Sequence, residues 1–213
     1  MNKLFTAAMG LALTATALSA TAQKKYTEGT ATYEASVNGQ TVEAKVFFKG
    51  DSSATTMQQG PANIKVIGFK EDYMAVLVDV PVANMKKAAI ATPGELEEAL
   101  SKLPNFTFTP GTETKQIAGF NCKKVVAKDA KSGNTFDAWV TTDISAPASA
   151  YSNLYAKIGG FPVQFTISQM GRNVTNTLKT ISDAKVPAGT FAIPAGFDKM
   201  TLTELSAMSG GGR

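Results

Sequence analysis

Apolar and polar residues alternate on both sides of Asn38-Gly39. Gly29, Ala31, Tyr33, Ala35 and Val37 interleave with Glu28, Thr30, Thr32, Glu34 and Ser36, and beyond the dipeptide Val42, Ala44, Val46 and Phe48 interleave with Glu43, Lys45, Phe47 and Lys49. A period of two puts each apolar set on one face of a strand. Asn-Gly suits the positive φ angles of a type I′ hairpin turn, so the two runs are expected to pair with their apolar faces coincident. Such a chain needs a second layer to cover that face.

The same signal returns along the chain. Ser53 to Gln58 reads as a weaker strand after the turn Gly50-Asp51. Ile64 to Phe69 and Tyr73 to Val80 form a second hairpin with the tip Lys70-Glu71-Asp72, and its second strand is apolar on both faces, so something must cover its outer side. Phe106–Thr109, Glu113–Ile117, Phe120–Lys128 and Thr135–Thr142 follow, punctuated by Pro110-Gly111, Ala118-Gly119 and Ser132-Gly133. Val163 to Ile167 and Asn173 to Ala184 complete the set, the latter two joined across a turn at Gly171-Arg172.

Helical spacing is rarer. Thr92-Pro93-x-Glu95 carries an N-cap, a proline at the first helical position and the carboxylate of a capping box. Leu96, Ala99, Leu100 and Leu103 then recur at helical intervals before Pro104, and this helix is the expected cover. Val82 to Ile90, carrying Met85, and Ala148 to Ile158, ended by Gly159-Gly160, read as shorter helices. The expected fold is mainly β of the α+β kind: a curved antiparallel sheet of roughly nine to eleven strands, forming an incomplete barrel with two or three short helices on its concave side.

At the N-terminus, Met1-Asn2-Lys3, the apolar run Leu4 to Leu18 and the small residues Ala20-Thr21-Ala22 have the form of a signal peptide. The run falls short of the ~20 residues that span a bilayer. The expected division is a signal peptide over 1-22, cut near Ala22, a single domain over 23-205 and a flexible Gly-rich tail over 206-213. The mature protein is then expected in the periplasm or another extracytoplasmic space, with no stable transmembrane span.

Composition removes several chemistries. There is no His, and Cys122 is the only Cys, so imidazole bases, Cys/His zinc sites and an internal disulfide framework are excluded. Cys122 is expected as a small buried hydrophobe. The net charge of +4, with Arg only at Arg172 and Arg213 and Lys spread along strands, lacks the clustered basic face of nucleic-acid binders. Glu95, Glu97 and Glu98 suit the positive end of a helix dipole better than acid-base work. Ser182-x-x-Lys185 sits at a strand end, where positions i and i+3 point to opposite faces. Asp129, Lys131, Gly133 and Asn134 read as a hairpin tip lacking the acids of a calcium loop. No catalytic residue, metal site or cofactor is expected, and the protein reads as a non-enzyme.

The stretch Lys115-Gln116-Ile117-Ala118-Gly119-Phe120-Asn121-Cys122-Lys123-Lys124, followed by a strand with Phe136 and Trp139, resembles a family of exported, uncharacterised Gram-negative proteins. Gly159-Gly160-Phe161-Pro162-Val163 stands where a related group carries Gly-Leu-Pro-Gly-Leu-Ile, and Phe191-Ala192-Ile193-Pro194-Ala195-Gly196-Phe197 agrees as an ending. Such proteins look like distant relatives of the periplasmic lipoprotein carriers. The resemblance implies a half-barrel with a lipid-accessible interior. The carriers' interior arginine latch has no counterpart, because Arg172 and Arg213 fall in an expected turn and tail. A concave lining of Tyr33, Phe48, Val66, Leu77, Met85 and Trp139 is expected to hold a lipid, an acyl chain or an apolar peptide. The alternative is a filled interior, with the sheet serving as a platform for an envelope protein partner.

Overall fold

The computed structural model describes residues 23–37, 40–169 and 172–210. The expected signal peptide and the Asn38-Gly39 turn lie outside them. The strands are β1 (Lys24–Lys25), β2 (Glu28–Val37), β3 (Gln40–Lys49), β4 (Ser52–Gln59), β5 (Ala62–Phe69), β6 (Tyr73–Val80) and β7 (Met85–Ile90), then helix α1 (Pro93–Ser101). After it come β8 (Phe106–Ile117), β9 (Phe120–Asp129), β10 (Thr135–Thr141), β11 (Ile144–Ser145), β12 (Phe161–Gln169), β13 (Arg172–Ser182), β14 (Asp198–Met200) and helix α2 (Leu202–Gly210). Twelve strands form one sheet in the order β14-β7-β6-β5-β4-β3-β2-β13-β12-β10-β9-β8, while β1 and β11 pair separately. Among the described strands, only β14 with β7 and β1 with β11 run parallel.

The connection through α1 requires the sheet to curl. β7 and β8 stand second and last in the sheet order, which in a flat sheet would separate them by ~48 Å at ~4.8 Å per strand. Residues 91–105, with α1 helical, reach at most ~37 Å. The direction of the curl follows from one cavity of about 690 Å³ that is lined both by the hairpin tips Asp51 and Lys70 to Asp72 and by Phe106 and Phe108 of the far edge strand. The concave face is therefore the one bearing Phe106 and Phe108. The edges stay unjoined, so the barrel is incomplete.

Half of the concave face is filled. Tyr33, Phe48, Val125, Ala127, Ala138, Val163, Phe165 and Leu178 are buried there together with Tyr155 and Ile158 from the segment before β12. Aromatic edges link Tyr33 to Phe165, Phe165 to Tyr155 and Tyr155 to Phe106 and Phe108, with ring centres 5.1 to 5.9 Å apart. The Tyr33 hydroxyl donates to the Ala150 carbonyl at 3.1 Å and the Tyr155 hydroxyl to the Thr166 carbonyl, so neither buried phenol is unpaired. A second core lies on the convex face, where Ala54, Ile67, Ala75, Leu77 and Ala88 meet Phe191, Ile193 and Phe197 of the C-terminal segment.

Four local expectations change. Met85 to Ile90 is a strand: Asn84 in the left-handed region ends a single 3-10 turn, Pro81–Ala83, and the strand then pairs with β6 and β14. Tertiary pairing overrides the helix-compatible Lys-Lys-Ala-Ala run. Residues 148 to 158 form two 3-10 turns, Ala148–Ala150 and Asn153–Tyr155, because the Ser152 hydroxyl accepts from the Leu154 amide and restarts the turn. Pro110-Gly111 is a bulge inside one bent strand β8, marked by a register shift between Pro110 and Thr114. Finally, residues 206–210, expected in the tail, belong to α2, whose start carries an unrecognised capping box between Thr201 and Glu204.

The expected cap of α1 is present: the Glu95 amide donates to the Thr92 hydroxyl and the Thr92 amide to the Glu95 carboxylate. Glu95 also accepts from the Thr203 amide and hydroxyl at 2.7 and 2.6 Å, tying α1 to the start of α2. At the other end, the Lys131 ammonium donates to the Ser101 and Leu103 carbonyls, tying α1 to the β9–β10 hairpin. The helix buries no residue completely.

Candidate functional site

Residues opposite one another in a ladder share a sheet face, and this rule sorts the six expected lining residues into three groups. Tyr33 and Phe48 lie on the concave face in its filled half. Val66 and Met85 also lie on the concave face. Phe48 pairs with Ser53, two positions before Thr55, and Thr55 pairs with Val66, Val66 with Val76 and Val80 with Met85.

Leu77 and Trp139 are corrections. Leu77 follows Val76 in β6 and points to the convex face, where it packs in the second core. Trp139 is opposite Lys124 and Gln164, and Gln164 bonds Thr177 on the side away from Tyr33. Its ring is covered by the Lys115 ammonium, 4.0 Å from the ring centre, which also donates to Gln164 at 3.1 Å. Cation and aromatic face attract there, and Trp139 takes no part in the concave lining.

The structure brings together a different set. On the concave face of β4 to β7, Met57, Ile64, Val66, Met74, Val76, Val78, Val80 and Met85 form a continuous apolar strip, and each is only half-buried. The fully buried cluster on that face ends at Phe48 and Val46. Sequence reasoning found Val66 and Met85 and missed the rest. The available signal was that β6 is apolar on both faces: the convex set is covered by Phe191, Ile193 and Phe197, and the concave set is the strip.

The charged groups singled out from the sequence are engaged structurally. Asp129 accepts from the Ser132 hydroxyl and from the amides of Asn105, Lys131 and Ser132, and these bonds hold its carboxyl down at about 2. It serves the hairpin tip. No group of three or more potential metal-ligating side chains occurs among the described residues. Ser182 accepts from the Ala184 amide at 3.2 Å. Cys122 is buried, which pushes its thiol pKa up. Glu95 is held at about 2 by the Thr203 hydroxyl first and then by the Thr92 amide. No described helix is long and apolar enough to cross a membrane.

No family model matches the chain, and no curated protein does. Among solved structures it is similar to PNGF-II in two crystal forms. In one the TM-score is 0.51 with 15% identity, covering 85% of this chain and 33% of that one. In the other the TM-score is 0.48 with 17% identity, covering 85% and 32%. A DUF1329 family protein from Desulfovibrio piger matches with a TM-score of 0.37 and 9% identity over 78% of this chain and 90% of that one. The chain spans about a third of the length of the PNGF-II structures, and at these identities the likeness at a TM-score of 0.51 is one of fold alone.

Proposed function

We propose that this protein is a non-enzymatic binding protein of the cell envelope that lays an acyl chain or similarly apolar ligand along the open half of its concave face. One observation carries the reading: eight contiguous apolar side chains of β4 to β7, Met57 to Met85, are left half-exposed inside a curled sheet whose other half is filled. Apolar surface of that extent, sheltered but not fully buried, supports a binding face. The leader-like Met1 to Ala22 and the resemblance to exported lipoprotein-carrier-like proteins support a location outside the cytoplasm.

The energetics allow it. Burying twelve methylenes at ~0.8 kcal/mol each contributes about 10 kcal/mol. Association costs ~4 kcal/mol or more, leaving about 6 kcal/mol, a Kd in the tens of micromolar. Two further methylenes add ~1.6 kcal/mol and tighten binding about tenfold.

Isothermal titration with dodecanoate, tetradecanoate and hexadecanoate tests the reading against the Val76→Lys variant. Val76 lies mid-strip, opposite Val66 and Ala89, and a lysine there can extend its ammonium to water with little loss of stability. The expected result is affinity that rises with chain length and falls at least ~tenfold in the variant, with Tm shifted by only a few degrees. Absence of binding by the native protein, or equal binding by both proteins, overturns it.

A further inference from the structure

The convex face holds a second cavity, remote in character from the apolar strip. A cleft of about 400 Å³ opens between the sheet and Pro194 and Phe197 of the C-terminal segment, within the ~300–1,000 Å³ of small-molecule sites. Its sheet wall is built from two neighbouring ladder rows. Lys45, Thr56, Lys65 and Leu77 stand opposite one another in one, and Gln58, Asn63 and Asp79 in the next, with Glu43 lining the same cleft. Residues facing each other in a row are ~5 Å apart, and the two rows are ~7 Å apart.

Asp79 offers nothing to the cleft, because one carboxylate oxygen faces Lys86 at 3.5 Å and the other is shut off from solvent. The side chains of Glu43, Gln58, Asn63 and Lys65 are different: each lines the cleft, and none has a hydrogen-bond or ion-pair partner among the described residues. Lys65 is half-buried, so its ammonium is partly desolvated without an acceptor, and that burial pushes its pKa down. Glu43 can only accept, Lys45 and Lys65 can only donate, and Gln58 and Asn63 do both. An anion entering here meets Glu43, and a cation meets two lysines. A neutral molecule carrying several hydroxyls, each of them donor and acceptor, bonds to every one of these groups without a like-charge contact. The opposite wall is apolar: Pro194 and the half-buried Phe197 face the polar rows. Polar groups on one side and an aromatic ring on the other suit a ligand with a rim of hydroxyls and a C–H face, and the spacing of the rows matches the span of the hydroxyls around one six-membered sugar ring.

We propose that this cleft binds a neutral carbohydrate, a hexose or short oligosaccharide, with its hydroxyls bonded by Glu43, Gln58, Asn63 and Lys65 and a C–H face laid on Phe197. The site is on the sheet face opposite the acyl strip, and neither proposal rests on the other.

The test titrates the full protein with D-glucose, D-galactose, D-mannose, N-acetyl-D-glucosamine and maltose, followed by calorimetry and by amide NMR shifts at Gln58, Asn63 and Lys65, with glucuronate and glucosamine as charged controls. Saturable binding of at least one neutral sugar is expected below ~10 mM, weakened at least ~fivefold by the double substitution Gln58→Ala, Asn63→Ala and by Lys65→Met. Gln58 and Asn63 are exposed and unpartnered, so the double variant keeps its Tm within a few degrees. Lys65→Met removes a partly desolvated charge without breaking a pair, so it keeps or raises Tm, and both variants separate loss of binding from loss of fold. No saturable binding of any of these neutral sugars at ~10 mM, full affinity in the double variant, tighter binding of glucuronate or glucosamine than of the neutral sugars, or shifts on the acyl strip in place of the cleft overturns the proposal.

Discussion

Replacing Tyr155 by Phe separates the phenol's hydrogen bond from its packing and gives a stability deficit that shrinks with rising pH in a defined way. Tyr155 is fully buried, its ring lies against Phe106, Phe108 and Phe165, and its hydroxyl donates to the Thr166 carbonyl. Phenylalanine keeps the ring contacts and loses the hydroxyl, so at neutral pH the variant is expected to be less stable by about 1–2 kcal/mol. Burial pushes the Tyr155 pKa up to about 12, against ~10 in an unfolded chain. A raised pKa in the folded state means that stability is whole below pH ~10 and drains away as pH climbs toward ~12, because only the unfolded phenol releases its proton in that window. At pH ~11 the loss from this one group is about 1.4 kcal/mol. The variant has no proton to release there, so its deficit should shrink from about 1–2 kcal/mol at pH ~7.5 to near zero at pH ~11. Urea unfolding followed by the fluorescence of Trp139, the only tryptophan, measures both values. Lysines and the other tyrosines titrate equally in both proteins and cancel in the difference. A deficit that is the same at both pH values refutes the argument that the Tyr155 hydroxyl is held neutral in a dry core.

Other consequences are as direct. Glu95 is held at about 2 by its bonds to Thr203 and Thr92, so the tie between α1 and α2 should persist down to pH ~3 and fail as pH falls through ~2; loss of Thr203 amide protection already near pH ~4.5 would contradict it. A Cβ added at Gly29 would lie 2.0 Å from the Ser182 carbonyl oxygen and 3.1 Å from Phe48, so Gly29→Ala should force β2 away from β13 and cost ~2 kcal/mol or more, seen as a Tm drop of at least about 4 °C. Trp139 is under Lys115 on the convex face, so acyl-chain binding on the strip should leave its emission maximum in place; a large blue shift on adding fatty acid would put the ligand on the wrong side of the sheet.

How much of this was legible follows from what alternation can and cannot report. In β2 and β3 one face is apolar and the other polar, so Tyr33 and Phe48 could be assigned together, and the ladder confirms that their faces coincide through Ala31 opposite Val46 and Gly29 opposite Phe48. In β6 both faces are apolar, and the choice between Val76 and Leu77 depends on register. That register is set at the Lys70-Glu71-Asp72 tip, where Phe69 meets Tyr73, and a slip of one residue exchanges the faces. Alternation alone therefore groups Leu77 with Val66, although Val66 is opposite Val76. Trp139 misled for a different reason: its size suggested the core, yet its strand neighbour Ala138 takes the concave position, and the ring is shielded instead by a lysine stem from β8, a strand distant in sequence.

The double-sided hydrophobicity of β6 had two physical causes that no local pattern distinguishes. One face is greasy because a segment more than a hundred residues later, Phe191 to Phe197, folds back onto it. The other face is greasy although only its small residues, Ala44 opposite Met57 and Ala89 opposite Val76, are buried there, while the larger side chains of the strip stay half-buried. Had the α1 helix been the cover, as its amphipathic spacing suggested, its leucines would be buried; Leu96 and Leu100 are only half-buried, and the helix is held chiefly at its ends by Glu95 and Lys131. A chain that only needed to fold could have placed polar residues along that half of the concave face, as it does on the convex face at Lys45, Thr56 and Lys65. Retaining Val66, Val76 and Met85 there leaves part of their apolar area in water, where it contributes nothing to stability. That incompletely buried area is why the proposed reading rests on the strip rather than on the better-packed Tyr33 and Phe48.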